Sequence, residues 1–224
     1  MGPAIGAILP FAVGVAVSPI PIIGVILILF TPLARSNGPA FVAGWLLALL
    51  AVGGVTLLVA DSGDVATHES ASDLAYALKV VLGLTLLLLA LQQWKKRPRE
   101  GDEVETPGWM ASIETFTPPR SFGMGALLGV NPKNLFLVIG AGLTIAQFNL
   151  EGAEQWIVLL VFTVLASVSV AGSVLYYILA GAKAKERLDP LKVWLLRNDA
   201  AVMAVLLLVF GVILFGQGFG GLTD

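Results

Sequence analysis

The sequence predicts an all-α integral membrane protein of six transmembrane helices, arranged as two inverted three-helix repeats whose helices 1 and 4 are broken by proline at the midplane. Three observations predict it. The 224 residues are 57% hydrophobic and only 12% charged, with a mean hydropathy of +0.91, against roughly 45–50% and about 25% in soluble domains. Six apolar windows reach the roughly 20 residues that a helix needs to cross a bilayer core. Two of those windows carry the same interruption, Val13-Gly-Val-Ala-Val-Ser-Pro19-Ile-Pro21 and Ala126-Leu-Leu-Gly-Val-Asn-Pro132-Lys133-Asn134.

The first span, Ala4–Leu33, is apolar on both sides of Pro19 and Pro21. A proline inside a helix lacks a donor and clashes with the carbonyl four residues back, so this pair should free the carbonyls of Val15 and Val17. The second span, Pro39–Ala60, carries Gly44, Gly53 and Gly54, with Gly38 just before it, and small residues mark close helix contacts. The third, Leu74–Trp94, contains Val81-Leu-Gly83-Leu. A polar stretch follows, in which Trp109, Met110, Ile113 and Phe116 recur near the helical period. That spacing predicts a short amphipathic helix on the inner membrane surface, either a hydrophobic staple under the bundle or a gate.

The fourth span, Phe122–Ala146, has Gly125 and Gly129 at a small-xxx-small spacing, and Pro132 should free the carbonyl of Leu128. The fifth is Trp156–Ala180 and the sixth Leu191–Phe215, whose Val209-Phe-Gly211-Val aligns with the segment around Gly83. Setting Pro19 on Pro132 also matches Val17 with Val130 and Ala16 with Gly129.

Basic residues fall in alternate connections: Arg35 in the first; Lys95, Lys96, Arg97, Arg99 and Arg120 in the central one; Lys183, Lys185, Arg187 and Arg197 around the last. The others carry Asp61, Asp64, Glu69 and Asp73, or Glu151 and Glu154. The positive-inside rule then places both termini outside. With an odd number of spans per half, the halves point in opposite directions. The expected organisation is a first repeat over 1–94, a cytoplasmic linker over 95–119 and a second repeat over 120–224.

Unpaired polar groups survive in lipid only where protein or water satisfies them, so both breaks should face the bundle interior. Ser18, Pro19 and Pro21 at one break, with Asn131, Pro132, Lys133 and Asn134 at the other, form the candidate substrate site. Plain kinks are the competing reading of a single proline; matched breaks with polar neighbours favour a site. Lys133 lies near the middle of its span, where insertion of a lysine costs on the order of 2.5–3.5 kcal/mol. Snorkelling is its bland explanation. An ammonium beside half-helix N-termini suits a carboxylate, phosphate or sulfate group. Asp199 is a candidate proton-coupling carboxylate or a structural partner of Arg197 or Lys192.

No span has an Asp or Glu near its centre, which weighs against cation export. The chain has no cysteine, its single histidine, His68, falls in a polar loop, and no nucleophile, phosphate loop or metal motif is visible. The expectation is therefore no enzyme, no cofactor, no metal and no nucleic-acid partner. Met1-Gly-Pro-Ala lacks a basic start, so the first helix is expected to stay in the mature protein.

Ser18-Pro-Ile-Pro-Ile-Ile23, Asn37-Gly-Pro-Ala-Phe-Val-Ala-Gly-Trp45, Trp109-Met110, Phe122-Gly-Met-Gly125, Asn131-Pro-Lys-Asn-Leu135 and Ala200-Ala-Val-Met-Ala-Val205 resemble, over nearly the whole chain, the GAP family, also called Sap or sulfolipid-1-addressing proteins, of the LysE-type exporter superfamily. Gly108, where a basic residue is usual, and Asp199, where a second Asn is usual, depart from the pattern. The resemblance implies a multi-pass protein of the bacterial inner membrane that exports or flips an amphipathic anionic substrate, a glycolipid or peptidoglycolipid. Amino-acid or small-solute export and a non-translocating scaffold for lipid export machinery are the alternatives. The implied partners are membrane lipids and the lipid-linked or small-molecule substrate, and a homodimer is a reasonable expectation for so small a bundle.

Overall fold

Nine α-helices and one short 3-10 turn make up the residues that the computed structural model describes, 1–62, 69–97, 113–148 and 150–223. In chain order the helices are α1 (Gly2–Ala16), α2 (Pro19–Leu29), α3 (Ala34–Ser62), α4 (Glu69–Lys96), α5 (Pro118–Gly129), α6 (Pro132–Ala146), α7 (Ala153–Ala166), α8 (Val168–Ala180) and α9 (Ala182–Thr223). Helices α3, α4 and α9 are each long and apolar enough to cross a membrane. The other six form three bent pairs, α1–α2 at 53°, α5–α6 at 64° and α7–α8 at 59°, which gives up to six spans if each pair counts as one.

Proline sets two of the bends. Pro19 and Pro132 stand at the first positions of α2 and α6, where the missing amide costs nothing and the fixed φ starts a new helix. The third bend has neither proline nor glycine, and the sequence reading does not contain it. Ser167 sits there with φ −101° and ψ −2°, its hydroxyl donating to the Thr163 carbonyl at 2.6 Å. A serine bonded back to the carbonyl one turn earlier loosens and bends a helix, and here it also accepts the Trp45 indole N–H at 3.0 Å.

The last connection also differs from expectation. Gly181 alone joins α8 to α9, in the left-handed region at φ +57°. Lys183, Lys185 and Arg187 therefore lie on the first turns of α9 and not in a loop, since lysine, glutamate and arginine extend a helix readily beyond its apolar run. Of the expected amphipathic helix, Trp109 and Met110 lie outside the described residues, as does His68; Ile113–Thr115 forms the 3-10 turn, with Ile113 buried.

Helix α4 lies along α9, α3 against α5 and α6, α1 against α6 and α7, and α2 against α8 and α9. The expected close approaches are present. A Cβ at Gly44 would overlap the Phe122 carbonyl, and one at Gly125 the Phe41 carbonyl, so α3 and α5 meet backbone to backbone. Phe11, Phe41, Trp45 and Phe162 fill the interior, while Leu58, Val59, Leu88, Leu127, Val164 and Leu179 stand on the outer surface. Leu179 is 77% exposed. An apolar exterior around a core that also holds the polar residues at its breaks is the arrangement a lipid solvent selects, and the chain is a multi-pass membrane protein.

Candidate functional site

The bends bring carbonyls without helical partners into the bundle, and side chains satisfy them. At the end of α1 the chain tightens, so the Ser18 amide donates to Val15 at 3.1 Å and the Gly14 carbonyl is left over. Lys133 Nζ donates to that carbonyl at 2.6 Å. The carbonyl of Ala16 accepts from the Ser169 hydroxyl on α8. The side chains thus reach the carbonyls of Gly14 and Ala16. The expected Val15 carbonyl is taken up by the Ser18 amide in the tight turn, while Val17, four residues before Pro21, receives no backbone donor among the described residues, as expected.

At the second break the expected carbonyl is the one involved. Leu128 accepts from Asn131 Nδ2 at 2.6 Å and from Asn134 Nδ2 at 3.2 Å. Asn131 Oδ1 in turn accepts the Asn134 amide at 3.0 Å, which caps α6. Two asparagines around one proline add side-chain amides to the long backbone bond, 3.5 Å, that the Asn131 amide makes to the same carbonyl. Asn134 Oδ1 is buried and has no hydrogen-bond partner, leaving an acceptor free beside Lys133 in the chain.

Lys133 is 3% exposed, and no carboxylate pairs with it among the described residues, where the one salt bridge joins Lys192 to Asp189 at 2.6 Å. Its ammonium carries three donors and Gly14 takes one. Ser18 and Pro19 are buried at the start of α2, and the Ser18 side chain makes no capping bond. Pro19 and Pro21 remove two donors from the first turn of α2, so Ile20 alone offers an amide there. The helix ends are accordingly weaker anion donors than expected: α6 is capped by its own asparagine, and the net positive charge of the site resides on Lys133. Pro132 is exposed, with its ring fixing the turn.

Asp199 lies well inside α9, its Oδ1 accepting from the Ala200 amide at 2.6 Å. Lys192 is taken by Asp189, and no hydrogen bond or ion pair joins Asp199 to Lys133 among the described residues. The structure thus joins Lys133 to the first break and the asparagines to each other, and it leaves Asp199 apart from both.

Sequence reasoning missed Ser167 and Ser169, which tie the third bend to Trp45 on α3 and to Ala16 at the first break. The signal was present as Ser167-Val-Ser169 inside an otherwise apolar run. It also explains the Asn37 to Trp45 motif: Asn37 Nδ2 donates to the Phe116 carbonyl at 2.8 Å, Gly44 admits α5, and Trp45 reaches Ser167. No group of acidic, histidine or cysteine side chains suited to a metal occurs among the described residues.

A family model described as SfLAP: Sap, sulfolipid-1-addressing protein, matches residues 8–220. Comparison with curated proteins and with solved structures gives no match.

Proposed function

Because the chain belongs to the Sap, sulfolipid-1-addressing protein family, we propose that it is a secondary transporter that exports or flips an amphipathic anionic substrate, a glycolipid or peptidoglycolipid, across the bacterial inner membrane. The observation that carries this reading is the Lys133 ammonium, buried at a helix break, bonded to a backbone carbonyl and holding donors in reserve. A sulfate, phosphate or carboxylate would recruit those donors and neutralise a charge that is expensive to leave unpaired in a low-dielectric interior.

The motion we infer is alternating exposure of that site between two inverted repeats, of the kind found in secondary transporters with paired broken helices. Helix pairing supports the repeat. If α1–α2 exchanges with α5–α6, α3 with α7–α8 and α4 with α9, then the packing of α3 on α5 maps onto that of α7 on α1, α3 on α6 onto α8 on α2, and α2 on α9 onto α6 on α4; all of these contacts occur. Gly83 and Gly211 support it further. A Cβ at either would meet the other's carbonyl, the reciprocity a twofold axis imposes. Both termini outside, membrane lipids as partners and a homodimeric assembly belong to the same reading, and the chemistry needs neither an enzymatic step nor a cofactor.

One observation favours amino-acid export as the second reading. The free acceptor Asn134 Oδ1 near Lys133 would suit the ammonium of a zwitterion. The test is a deletion strain complemented by wild type or by Lys133→Ala, with surface-extractable and retained lipids and excreted amino acids measured in the same cultures. Loss of one surface lipid that only wild type restores supports lipid translocation. Altered amino-acid excretion with unchanged lipids supports solute export, and restoration by both forms supports a scaffold and sinks the transport reading.

A further inference from the structure

The far end of α6 holds a second buried lysine. Lys79, on α4, is 2% exposed, and its Nζ donates to Gln147 Oε1 at 2.6 Å and to Gln217 Oε1 at 3.3 Å. Gln147 is the C-cap of α6, and Gln217 lies on α9, so three helices converge on one ammonium. Both partners are neutral amides. No carboxylate pairs with Lys79 among the described residues, and its third donor has no partner there. Gln147 Nε2 is buried and unpartnered as well. A cation without a counter-charge and an amide donor without an acceptor therefore share one small polar cluster between apolar helices.

Such a cluster is a poor structural element. A buried ammonium held only by neutral amides costs several kcal/mol, and an apolar residue of similar length would pack there at least as well. The cluster does make sense as a receptor for a group that supplies both charge and acceptors. Access is provided by Gln217, which is exposed and whose bond to Lys79 is the longer of the two. An incoming oxyanion would displace Gln217, retain Gln147 and take the free Nε2 donor. We propose that Lys79, Gln147 and Gln217 form an oxyanion-binding site, separate from Lys133, for a sulfate, phosphate or carboxylate group.

The two lysines flank a single helix. Lys133 stands at the start of α6 and Gln147 at its end, about 20 Å apart at 1.5 Å per residue. From a break at the midplane of a core about 30 Å thick, that distance reaches the membrane surface. On the export reading of the preceding section, Lys79 receives the charged group after it leaves Lys133; this role rests on that reading, whereas binding at Lys79 does not. The rival account is that the negative end of α6 compensates Lys79 by itself, in which case no external anion is needed.

The test uses the full chain in phosphatidylcholine nanodiscs. Inorganic sulfate is titrated by calorimetry, and retention of a sulfated galactolipid against its neutral parent is read by native mass spectrometry. Lys79→Met is expected to weaken sulfated ligands at least about tenfold while Lys133→Met preserves a Lys79-dependent binding event. Gln147→Leu keeps the charge and is expected to weaken binding by several-fold, which guards against a misfolded lysine variant. Binding of both inorganic sulfate and the lipid assigns the site to the oxyanion itself, and binding of the lipid alone assigns it to a headgroup with its chain. Equal binding by wild type, Lys79→Met and Gln147→Leu overturns the proposal. Intact binding with lost transport in Lys133→Met separates failure of this site from failure of the transport reading.

Discussion

The Lys133 ammonium donates to the Gly14 carbonyl at 2.6 Å, so one buried hydrogen bond joins the bent pair α1–α2 to the bent pair α5–α6. Removing the ammonium leaves Gly14 without its donor, about 1–3 kcal/mol, and at the same time relieves a buried charge at a cost of similar order. The opposing terms nearly cancel. Lys133→Met is therefore expected to keep its melting temperature within a few degrees of wild type and to lose export. Thermal unfolding alongside surface-lipid extraction checks both halves, and a large drop in stability would make the lysine structural.

The pair Gly83 and Gly211 admits no side chain. A Cβ at Gly83 would strike the backbone of Phe215 and the Gly211 carbonyl, atoms that cannot move aside as a flexible side chain can. Gly83→Ala is expected to destabilise by about 1–3 kcal/mol. Gly123→Ala, where nothing lies within 4 Å, is expected to be neutral or to stabilise by up to about 1 kcal/mol. Equal effects of the two in detergent unfolding would contradict the close α4–α9 contact.

Asn131 and Asn134 back each other up at the Leu128 carbonyl. Either side-chain amide alone can satisfy it, and with both removed only the long 3.5 Å bond from the Asn131 backbone amide remains. The double change is therefore expected to cost more than the sum of the single ones, with a coupling of up to about 1 kcal/mol. Asn131→Ala carries an additional ~1 kcal/mol from the lost cap of α6. A double-mutant cycle on unfolding free energies gives the sign, and strict additivity would mean that the two amides do not share an acceptor.

Trp45 and Ser167 form a second cycle. Trp45→Phe is expected to cost about 1 kcal/mol in wild type and much less in a Ser167→Ala background, since the indole N–H then has no hydroxyl to lose. The same loss in both backgrounds would show that Trp45 matters through its volume alone.

Asp199→Asn tests proton coupling. If the carboxylate carries the coupling proton, the variant is expected to bind substrate as wild type does and to lose gradient-driven transport in proteoliposomes. Unchanged transport would reduce Asp199 to its local bond with the Ala200 amide.

The two proline breaks were legible because proline leaves an unambiguous mark in an apolar run, and the asparagines beside Pro132 declared themselves by polarity. The bend at Ser167 was not, because a serine in a membrane helix can point anywhere, and only the convergence of Thr163 and Trp45 turns it into a hinge. Lys79 was hidden for a related reason. Toward the end of a span a lysine ordinarily reads as one that snorkels, and its glutamines come from positions 68 and 138 residues away in the chain. Which carbonyl a break frees depends on how the preceding turn tightens, a matter of a single residue that no spacing encodes.

The bends are wired together: Lys133 reaches Gly14, Ser169 reaches Ala16, and Trp45 reaches Ser167. No joint can straighten without breaking a bond held by another. The expected behaviour is that of ganged hinges, one slow exchange felt simultaneously along three bent pairs, and on the transport reading proposed above such coupling would suppress a leak with every door ajar without a dedicated plug.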